Sequence, residues 1–480
     1  MIQRFKDLKG DIFMKHLFTE KVVPIELDNP AIKIDYDKCI KCGLCKRVCD
    51  KEIAVAGRFD LEKTGDIAIC IHCGQCAAAC PVGAITQVED YKKVKAEIMN
   101  PKKIVVFSTA PAVRVALGEE FGMDTGSYVE DRMVSALRAL GGDYVFDVTF
   151  GADMTIMEEA NELVQRIVNK EANIPQFTSC CPSWVKYVET FYPELIPNLS
   201  TTKSPIGIQG VTIKTYFAKK ANIDPKNIVT VTITPCTAKK YEISRPEMND
   251  SAKFNNIEGL RDNDYILTTK ELAKWMKEEN IDFNSLEGSS FDSMLGLGSG
   301  AGIIFGNSGG VMEAATRTVY NILTGERPTS ELLHFEPVRG IEGIKEASIQ
   351  IDNRTIKVAA VQGTANARVL IEKIKAKEVS YDFIEVMTCK GGCIGGAGQP
   401  KTKKRVTDEM RLKRIESLYD KDSKVEVKCS HENEDVITVY EEFFGKPLSH
   451  MSHELIHTRY ESKYHMLGNE ENEEEFDDAM

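Results

Sequence analysis

Residues 39–49, CIKCGLCKRVC, and residues 70–80, CIHCGQCAAAC, decide the fold of the N-terminal part of the chain. Both stretches have the spacing CxxCxxCxxxC, and Pro81 follows the second one. They begin about 31 residues apart, which indicates an internal duplication. Gaps of two residues let three successive thiolates hold three irons of one 4Fe-4S cube, while the fourth thiolate crosses to the other cube.

This spacing predicts two 4Fe-4S clusters with crossed ligand sets. We expect one cluster on Cys39, Cys42, Cys45 and Cys80, and the other on Cys49, Cys70, Cys73 and Cys76. A pair of zinc knuckles is the alternative, but zinc sites use separated CxxC pairs without a third cysteine at this spacing. Two such clusters conduct electrons and are not a catalyst, so the chemistry is expected downstream.

The composition of the 480 residues is that of an ordinary globular protein, with 42% apolar and 28% charged residues. A net charge of −12 argues against broad nucleic-acid binding, because phosphate backbones attract basic surfaces. No stretch approaches the roughly 18 apolar residues that span a bilayer, and the N-terminus has no signal-peptide pattern. We therefore expect no membrane association and a cytoplasmic location. The 14 cysteines of such a chain indicate metal binding rather than disulfides.

The pattern along the chain predicts four segments. A lead-in covers residues 1–33, with a short strand over 22–27, and an α+β ferredoxin-like domain covers 34–95. An α/β domain covers 96–467, where strand patterns at 144–150, 228–234 and 358–363 alternate with helical patterns at 155–168 and 368–376. Residues 468–480 form an acidic tail. The glycine-rich stretch 295–315 matches no phosphate-loop pattern and is interpreted as tight backbone packing.

Five further cysteines lie in three separated loops of the α/β domain. They are Cys180 and Cys181 in FTSCCPSWVK, Cys236 in TPCTAKKYE, and Cys389 and Cys393 in EVMTCKGGCIGGAGQP. Four thiolates gathered from distant loops suit either another 4Fe-4S cube or a structural zinc, and the residues alone do not choose. The sequence His453-Glu454-Leu455-Ile456-His457 also fits the zinc-peptidase pattern HExxH, a short pattern that often occurs by accident.

The motifs TSCCPSW, PCTAKKYE and MTCKGGCIGGAGQP, in this order after a two-cluster ferredoxin unit, resemble the three signatures of the FeFe-hydrogenases. Residues 108–122, 150–166 and the closing FFGKPLSH…HELIHTRY also resemble that family, so nearly the whole chain takes part. The resemblance implies a two-lobed α/β domain with an H-cluster buried between the lobes. It implies the reversible reaction 2H⁺ + 2e⁻ = H₂, with ferredoxin or flavodoxin as electron carrier and maturation proteins that insert the di-iron unit.

The resemblance also assigns the residues around the H-cluster. It implies a 4Fe-4S cube on Cys181, Cys236, Cys389 and Cys393, with Cys393 bridging to a di-iron unit that carries CO, cyanide and azadithiolate. Lys239 matches the lysine that contacts a cyanide, and Glu242 follows it in the same motif. Met387, Ala110 and Pro111 match residues that line the di-iron unit, and Thr234 stands at a cofactor-binding position where most of the family has Met.

A proton path is implied by the same resemblance. Cys180 has no cluster to bind, and a thiol is a reasonable proton carrier beside an amine. Glu159, Ser200 and Glu162 match the path outward, with Arg166 near its mouth. The alternative for Glu162 and Arg166 is an ordinary surface ion pair, because they stand four residues apart on a predicted helix.

Several positions depart from residues that are common in the family, which predicts a divergent subgroup. They are Ala112, Ile206, Thr234, Ala238 and Ala397. A low-activity hydrogenase or a hydrogen sensor is therefore an alternative, as is a cubane-only assembly or electron-transfer protein. Cys180, Lys239 and the complete double cysteine array favour the hydrogenase. Lys41, Lys46, Arg47 and Lys51 could form a basic docking patch for the carrier.

Overall fold

The computed structural model describes residues 21–401 and 406–468. Its N-terminal unit has two antiparallel strands, β1 (Ile32–Ile34) and β2 (Ile85–Gln87), and two short helices, Leu44–Lys51 and Gln75–Ala79. Each helix begins directly after a glycine with positive φ, Gly43 at 81° and Gly74 at 68°, where a residue with a Cβ would be strained. This is the ferredoxin-like α+β domain that the duplicated spacing predicts.

The lead-in belongs to the same small domain. Val22, Val23 and Ile25 share one apolar core with Cys45 and with other residues of the cysteine loops. The strand predicted over 22–27 is wrong: these residues have no strand pairing, and the first strand is β1. Residues 1–20 and the acidic tail from residue 469 onward lie outside the described residues.

The large domain contains two four-stranded sheets. Its strands are β3 (Ile104–Thr109), β4 (Tyr144–Asp147), β5 (Gln176–Phe177), β6 (Ile228–Thr234), β7 (Tyr265–Thr268), β8 (Ile344–Ile351), β9 (Arg354–Gln362) and β10 (Phe383–Met387). The first sheet has the order β4-β3-β6-β7 with all strands parallel. The second has the order β5-β10-β9-β8, in which only β8 is antiparallel. The two sheets form the two lobes.

Helices cover both faces of each sheet, so that apolar runs such as 228–234 are buried along their whole length. Helices Glu130–Ala139 and Thr269–Glu278 pack on one face of the first sheet. Helices Pro182–Phe191 and Thr364–Lys375 pack on one face of the second. This layering confirms the predicted α/β class.

A long helix, Val148–Asn169, lies between the two lobes. Its Phe150 and Met154 pack on the first sheet, whereas Ile156 and Leu163 pack on the second. The predicted strand over 144–150 is therefore too long: the helix begins at Val148, because the Asp147 side chain accepts a hydrogen bond from Thr149 N at 2.9 Å and caps it.

The glycine-rich stretch 295–315 is densely packed, as its interpretation predicts. A Cβ at Gly302 would lie 2.5 Å from Thr149 O, and a Cβ at Gly310 would lie 1.8 Å from Ile304 O. Both distances are too short for any other residue. The stretch contains helix Gly300–Ile304 and the start of helix Gly310–Thr324.

The remaining α-helices are Tyr91–Ile98, Pro205–Thr212, Ala218–Lys220, Lys239–Glu242, Asp250–Asn255, Ser330–Leu333, Asp408–Lys424, Glu434–Val439 and His450–Leu455. Two π-helical turns cover Ile213–Phe217 and Tyr440–Phe444. Single 3-10 turns occur at Pro111–Val113, Leu117–Phe121, Pro193–Asn198, Pro225–Asn227, Phe283–Ser285, Glu336–Val338, Cys393–Gly395, Ser430–Glu432 and Tyr464–Leu467. The predicted boundary between residues 95 and 96 falls inside helix Tyr91–Ile98, which packs on Trp275 of the large domain. Within the described ranges, none of the helices has the length and apolarity that crossing a membrane requires.

Candidate active site

The four loops of the candidate site all follow carboxyl ends of parallel strands. Ala110 and Pro111 follow β3, and Cys236 follows β6 of the same sheet. Cys180 and Cys181 follow β5, and Cys389 and Cys393 follow β10 of the other sheet. In open α/β sheets, sites form at this edge of the strands. The loops of the two lobes therefore meet at one place. From the sequence, these separated loops could be related to one another only through the family resemblance.

Four cysteines from three of these loops share one enclosed environment, and we call Cys181, Cys236, Cys389 and Cys393 the catalytic-domain quartet. Burial raises the pKa of Cys389 well above its usual value, and the neighbouring sulfurs of Cys236 and Cys181 raise it further. Burial and the same two sulfurs also raise the pKa of Cys393. Such crowding of sulfurs is unfavourable for bare thiolates, but iron offsets it, because a bound metal ion deprotonates its thiol ligands.

Local hydrogen bonds fix the loops that carry the quartet. Thr234 Oγ1 donates to Cys236 O at 3.0 Å and accepts from Cys236 N at 3.3 Å. Gln75 Nε2 of the small domain donates to Cys389 Sγ at 3.1 Å. A Cβ at Gly396 would lie 2.3 Å from Pro235 O, so the β10 loop approaches the β6 loop as only glycine permits.

Lys239 brings a buried positive charge to this site. Its Nζ donates to Ser204 Oγ at 2.8 Å and to Cys180 O at 3.0 Å, and it pairs with Glu242 Oε2 at 2.5 Å. Burial lowers the pKa of Lys239, but the Glu242 carboxylate outweighs burial and the pKa stands above its ordinary value. The lysine is therefore charged at neutral pH and suits an anionic ligand. Ser204, which also donates to Glu242, was missed because nothing in its sequence context marks it.

The predicted apolar lining is also at the strand ends. Met387 is buried and packs in one cluster with Cys180, Cys181 and Cys393. Pro111 is buried, and Ala110 N donates to Ile233 O at 3.0 Å, which joins the end of β3 to β6. The walls of the site therefore come from both lobes.

The residues of the predicted proton path are neighbours. Burial raises the pKa of Cys180, and the Glu159 carboxylate raises it further. Burial, followed by the Glu162 carboxylate, raises the pKa of Glu159 to about 8. The Ser200 hydroxyl donates to Glu162 Oε2 at 2.7 Å, and its proximity to Glu159 offsets part of the effect of burial on the pKa of that carboxyl. The groups of the predicted path therefore lie near one another beside the quartet.

The outer end of this set differs from the prediction. Glu162 and Arg166 pair at 2.6 Å with side chains only 13% and 7% exposed, so the surface-pair alternative is wrong. Arg166 is not at an open mouth, because its guanidinium donates to four carbonyl oxygens besides Glu162. They belong to Asn173, Pro197, Asn198 and Leu199.

The small domain has two cavities, and each is lined by one predicted ligand set. Cys39, Cys42, Cys45 and Cys80, the outer quartet, surround the first. Cys49, Cys70, Cys73 and Cys76, the inner quartet, surround the second. Backbone N–H groups point at the sulfurs, as Val23 N does to Cys45 Sγ at 3.5 Å and His72 N to Cys70 Sγ at 3.3 Å. Thiol-lined cavities with such donors fit 4Fe-4S cubes.

The inner quartet adjoins the catalytic-domain quartet. Cys73 raises the pKa of Cys389, and Cys236 raises that of Cys73. Thr237 Oγ1 donates to His72 O at 2.9 Å, and a Cβ at Gly74 would lie 2.4 Å from Thr237 Oγ1 and 2.9 Å from the Ala397 Cβ. The three quartets therefore follow one another from the exposed Cys42 to the strand ends.

The HExxH histidines do not have the arrangement that a zinc peptidase needs. The helix His450–Leu455 ends before His457. The two ring nitrogens of His457 are occupied by Thr201 Oγ1 at 2.8 Å and Glu158 Oε2 at 3.1 Å. A zinc peptidase presents both histidines on one helix, with ring nitrogens free to bind the metal. The match to HExxH therefore does not indicate a zinc site here.

Family models match three consecutive parts of the chain. Residues 38–85 match a 4Fe-4S dicluster domain, residues 103–397 the C-terminal domain of the iron-only hydrogenase large subunit, and residues 408–463 the iron hydrogenase small subunit. The first match excludes the zinc-knuckle alternative for the double cysteine array.

Similar proteins agree with these matches. The chain is 42% identical to the NADP-reducing hydrogenase subunit HndD of Solidesulfovibrio fructosivorans, over 89% of this chain and 74% of that protein. It is 41% identical to iron hydrogenase 1 of Clostridium pasteurianum, over 92% of this chain and 78% of that protein. The cytosolic iron-sulfur assembly component 3 of Bos taurus is more distant, at 29% identity over 82% of each chain.

Solved structures share the fold. An apo FeFe-hydrogenase of Chlamydomonas reinhardtii superposes with a TM-score of 0.69 at 38% identity, covering 78% of this chain and 99% of that one. A structure described as showing stepwise FeFe-hydrogenase H-cluster assembly superposes with a TM-score of 0.68 at 38% identity, over 78% and 99% of the two chains.

The protein contains three cysteine quartets in series. The last quartet lies beside a buried lysine and beside groups that can hold a proton. These features together define an iron-sulfur redox enzyme. The matches make this class specific: the chain belongs to the iron-only, or FeFe, hydrogenase family, within which it forms a divergent subgroup. It is an enzyme of reversible H₂ chemistry, with an H-cluster and 4Fe-4S clusters as its cofactors.

Proposed function

We propose that the catalytic-domain quartet holds the H-cluster of this hydrogenase, with Cys393 as the bridging thiolate. The observation that carries the proposal is the convergence of three strand-end loops on one enclosed group of sulfurs beside Lys239. When bound, the di-iron unit supplies the metal position and the amine at which H₂ is split or formed. Lys239 orients its anionic ligands, and Met387 and Pro111 exclude water.

The proposed proton path runs from Cys180 through Glu159 and Ser200 to Glu162. The raised pKa values of Cys180 and Glu159 support it, because both groups hold a proton at neutral pH and can pass it on. The Ser200 hydroxyl donates to Glu162 and lies close to Glu159, so it can accept a proton from Glu159 as it donates its own to Glu162. Arg166 fixes Glu162 and does not itself carry the proton.

The proposed electron path runs through the outer quartet, the inner quartet and the catalytic-domain quartet in that order. The hydrogen bond from Gln75 to Cys389 and the influence of Cys73 on the pKa of Cys389 support the second transfer. Cys42 is the exposed cysteine of the outer quartet, which supports entry of electrons there.

We propose ferredoxin or flavodoxin as the electron carrier that docks over Cys42. Ile40, Leu44 and Val82 around the outer quartet are 62%, 40% and 42% exposed, a patch suited to a protein contact. Lys41 lines the cavity of the outer quartet, and Lys46, Arg47 and Lys51 lie on the helix Leu44–Lys51. Their positive charges complement an acidic carrier. In a triple variant Lys41→Glu, Lys46→Glu and Arg47→Glu, turnover with reduced ferredoxin should fall severalfold relative to turnover with reduced viologen. An unchanged ratio of turnover with ferredoxin to turnover with viologen would show that these basic residues are not part of the docking surface.

Maturation proteins are the proposed source of the di-iron unit, supported by the stepwise H-cluster assembly described for the similar structure. A cytoplasmic location is proposed because a reducing compartment suits cysteines that form no disulfide within the described residues.

Infrared spectroscopy of anaerobically matured protein, paired with H₂ evolution from reduced viologen, tests the assignment. We expect bands of metal-bound CO and cyanide together with turnover, and loss of both in Cys393→Ser. Cys429→Ser is the matched control, because Cys429 is buried and lies outside all three quartets. Bands with negligible turnover would favour the sensor, and their absence after verified maturation would favour a cubane-only protein.

A further inference from the structure

The proton path proposed above needs an exchange point with solvent, and Arg166 does not provide one. The Arg166 side chain is only 7% exposed, and its guanidinium donates to the carbonyls of residues 173 and 197–199. Glu162 is nevertheless partly exposed, at 13% of its side chain. Its remaining neighbour is Thr201, whose backbone N–H donates to both carboxylate oxygens at 3.3 Å.

Thr201 leads from Glu162 into a cavity with a volume of about 810 Å³. Thr201, His453 and His457 line the cavity on one side. We propose that this cavity is the solvent end of the proton path and that His453 exchanges protons between its water and Glu162. The inference rests on the proposed path through Glu162.

His457 is the fixed part of this arrangement. Its Nε2 lies 3.1 Å from Glu158 Oε2 and its Nδ1 lies 2.8 Å from Thr201 Oγ1. Glu158 is itself fixed by Tyr440 and by Leu448 N, so the imidazole is held from both sides. With both nitrogens engaged and only 6% exposure, His457 is a positioning residue that orients Thr201 and His453.

His453 is the exchangeable part. It is exposed, its ring packs against that of His457 at a tilt of 42° with centroids 4.3 Å apart, and no hydrogen bond ties its imidazole within the described residues. Glu158 and Glu162 both act on its charge, which places it within electrostatic reach of the path. An imidazole titrates near neutral pH, so it accepts a proton from water and releases it to a carboxylate at little cost.

The charges around His453 come from several elements. Burial and His457 lower its pKa, Glu158 and Glu162 on the long helix raise it, and His450 on its own helix lowers it. The other charged groups lining the cavity are Glu247, Asp250, Lys253, Glu454 and Arg459. The net effect holds the pKa of His453 below its ordinary value, which favours release of the proton to the path. During H₂ formation one proton enters through this imidazole for each electron delivered.

The test is chemical rescue in weakly buffered solution. His453→Ala should lose turnover severalfold at pH 7 to 8, and added imidazole should restore it in a saturable manner, because the cavity has room for the free base. His450→Ala is the matched control: it lies on the same helix with an 88% exposed side chain paired to Glu454 and should behave as the parent protein. A merely structural role of His453 would not respond to imidazole.

Further variants separate this inference from the proposed path. Cys180→Ala should abolish turnover with imidazole present or absent, and retained turnover would overturn both the path and the inference. If Cys180→Ala is inactive while His453→Ala matches His450→Ala, only the inference is wrong. His457→Asn should lower turnover and shift its pH profile, and infrared bands of each variant verify an intact H-cluster.

Discussion

The electron path and the proton path reach the same strand ends but are built differently. The electron path consists of three cysteine quartets, two of which lie in short loops whose spacing alone predicts their ligands. The proton path consists of a thiol, a hydroxyl and two carboxylates taken from three segments, and burial raises the pKa values of Cys180 and Glu159. Electrons need only closely spaced clusters, whereas protons need groups that change protonation state near neutral pH.

The largest expected effect breaks the proton path and leaves the electron path intact. Cys180→Ala removes the thiol nearest the quartet without touching a predicted ligand. We expect turnover to fall by roughly 10²- to 10⁴-fold, which is the usual contribution of a positioned proton donor. Infrared bands and the EPR signals of the reduced 4Fe-4S clusters should be unchanged. Comparable turnover would mean that protons bypass Cys180.

The second expected effect concerns the unfavourable free energy of keeping the Glu159 side chain buried. Its pKa of about 8 lies above that of an exposed glutamate, so between pH 4.5 and 8 the folded protein binds a proton that the unfolded chain releases. Stability therefore falls as pH rises through this window. Glu159→Gln removes this pH-dependent loss of stability, which is on the order of a few kcal/mol in the free energy of unfolding.

Glu159→Gln should accordingly lower turnover at every pH while raising the thermal unfolding midpoint, with a larger rise at pH 8 than at pH 5. Differential scanning calorimetry of anaerobic protein measures both midpoints. Glu171→Gln, an exposed change just beyond the same helix, is the control and should move neither. Equal shifts at the two pH values would mean that Glu159 is ionised throughout.

The same contrast explains which features of the fold and the site could be predicted from the sequence. The crossed ligand sets follow from local spacing, and buried strands such as 228–234 follow from apolar runs. Arg166 was misplaced because helix spacing gives its pairing with Glu162 but not the carbonyls that enclose it. Thr201 and His457 were missed as a pair because 256 residues separate them. A hydrogen bond across such a distance has no signal in one sequence.

The smallest expected effect concerns the electron path and the reduction potential of its inner cluster. Lys186, on the helix that begins after Cys181, is 4% exposed and lies 2.8 Å from His72 Nε2 in the inner quartet's loop. Its Nζ also lies 4.7 Å from the centre of the Tyr241 ring. Burial and Glu26 raise the pKa of Cys70, and the Lys186 charge offsets part of this rise. A buried cation at this position stabilises the reduced inner cluster, because reduction adds negative charge.

Lys186→Met should therefore lower the reduction potential of the inner cluster by on the order of 50 to 100 mV, whereas Lys186→Arg, which keeps the charge, should shift it less. An EPR-monitored redox titration of protein without the di-iron unit measures this. The outer cluster is the internal control, since Lys186 contacts none of its ligands within the described residues. A shift of both clusters by the same amount would indicate a general loosening of the small domain. A shift of the inner cluster alone would show that the large domain tunes the last step of electron delivery through one side chain.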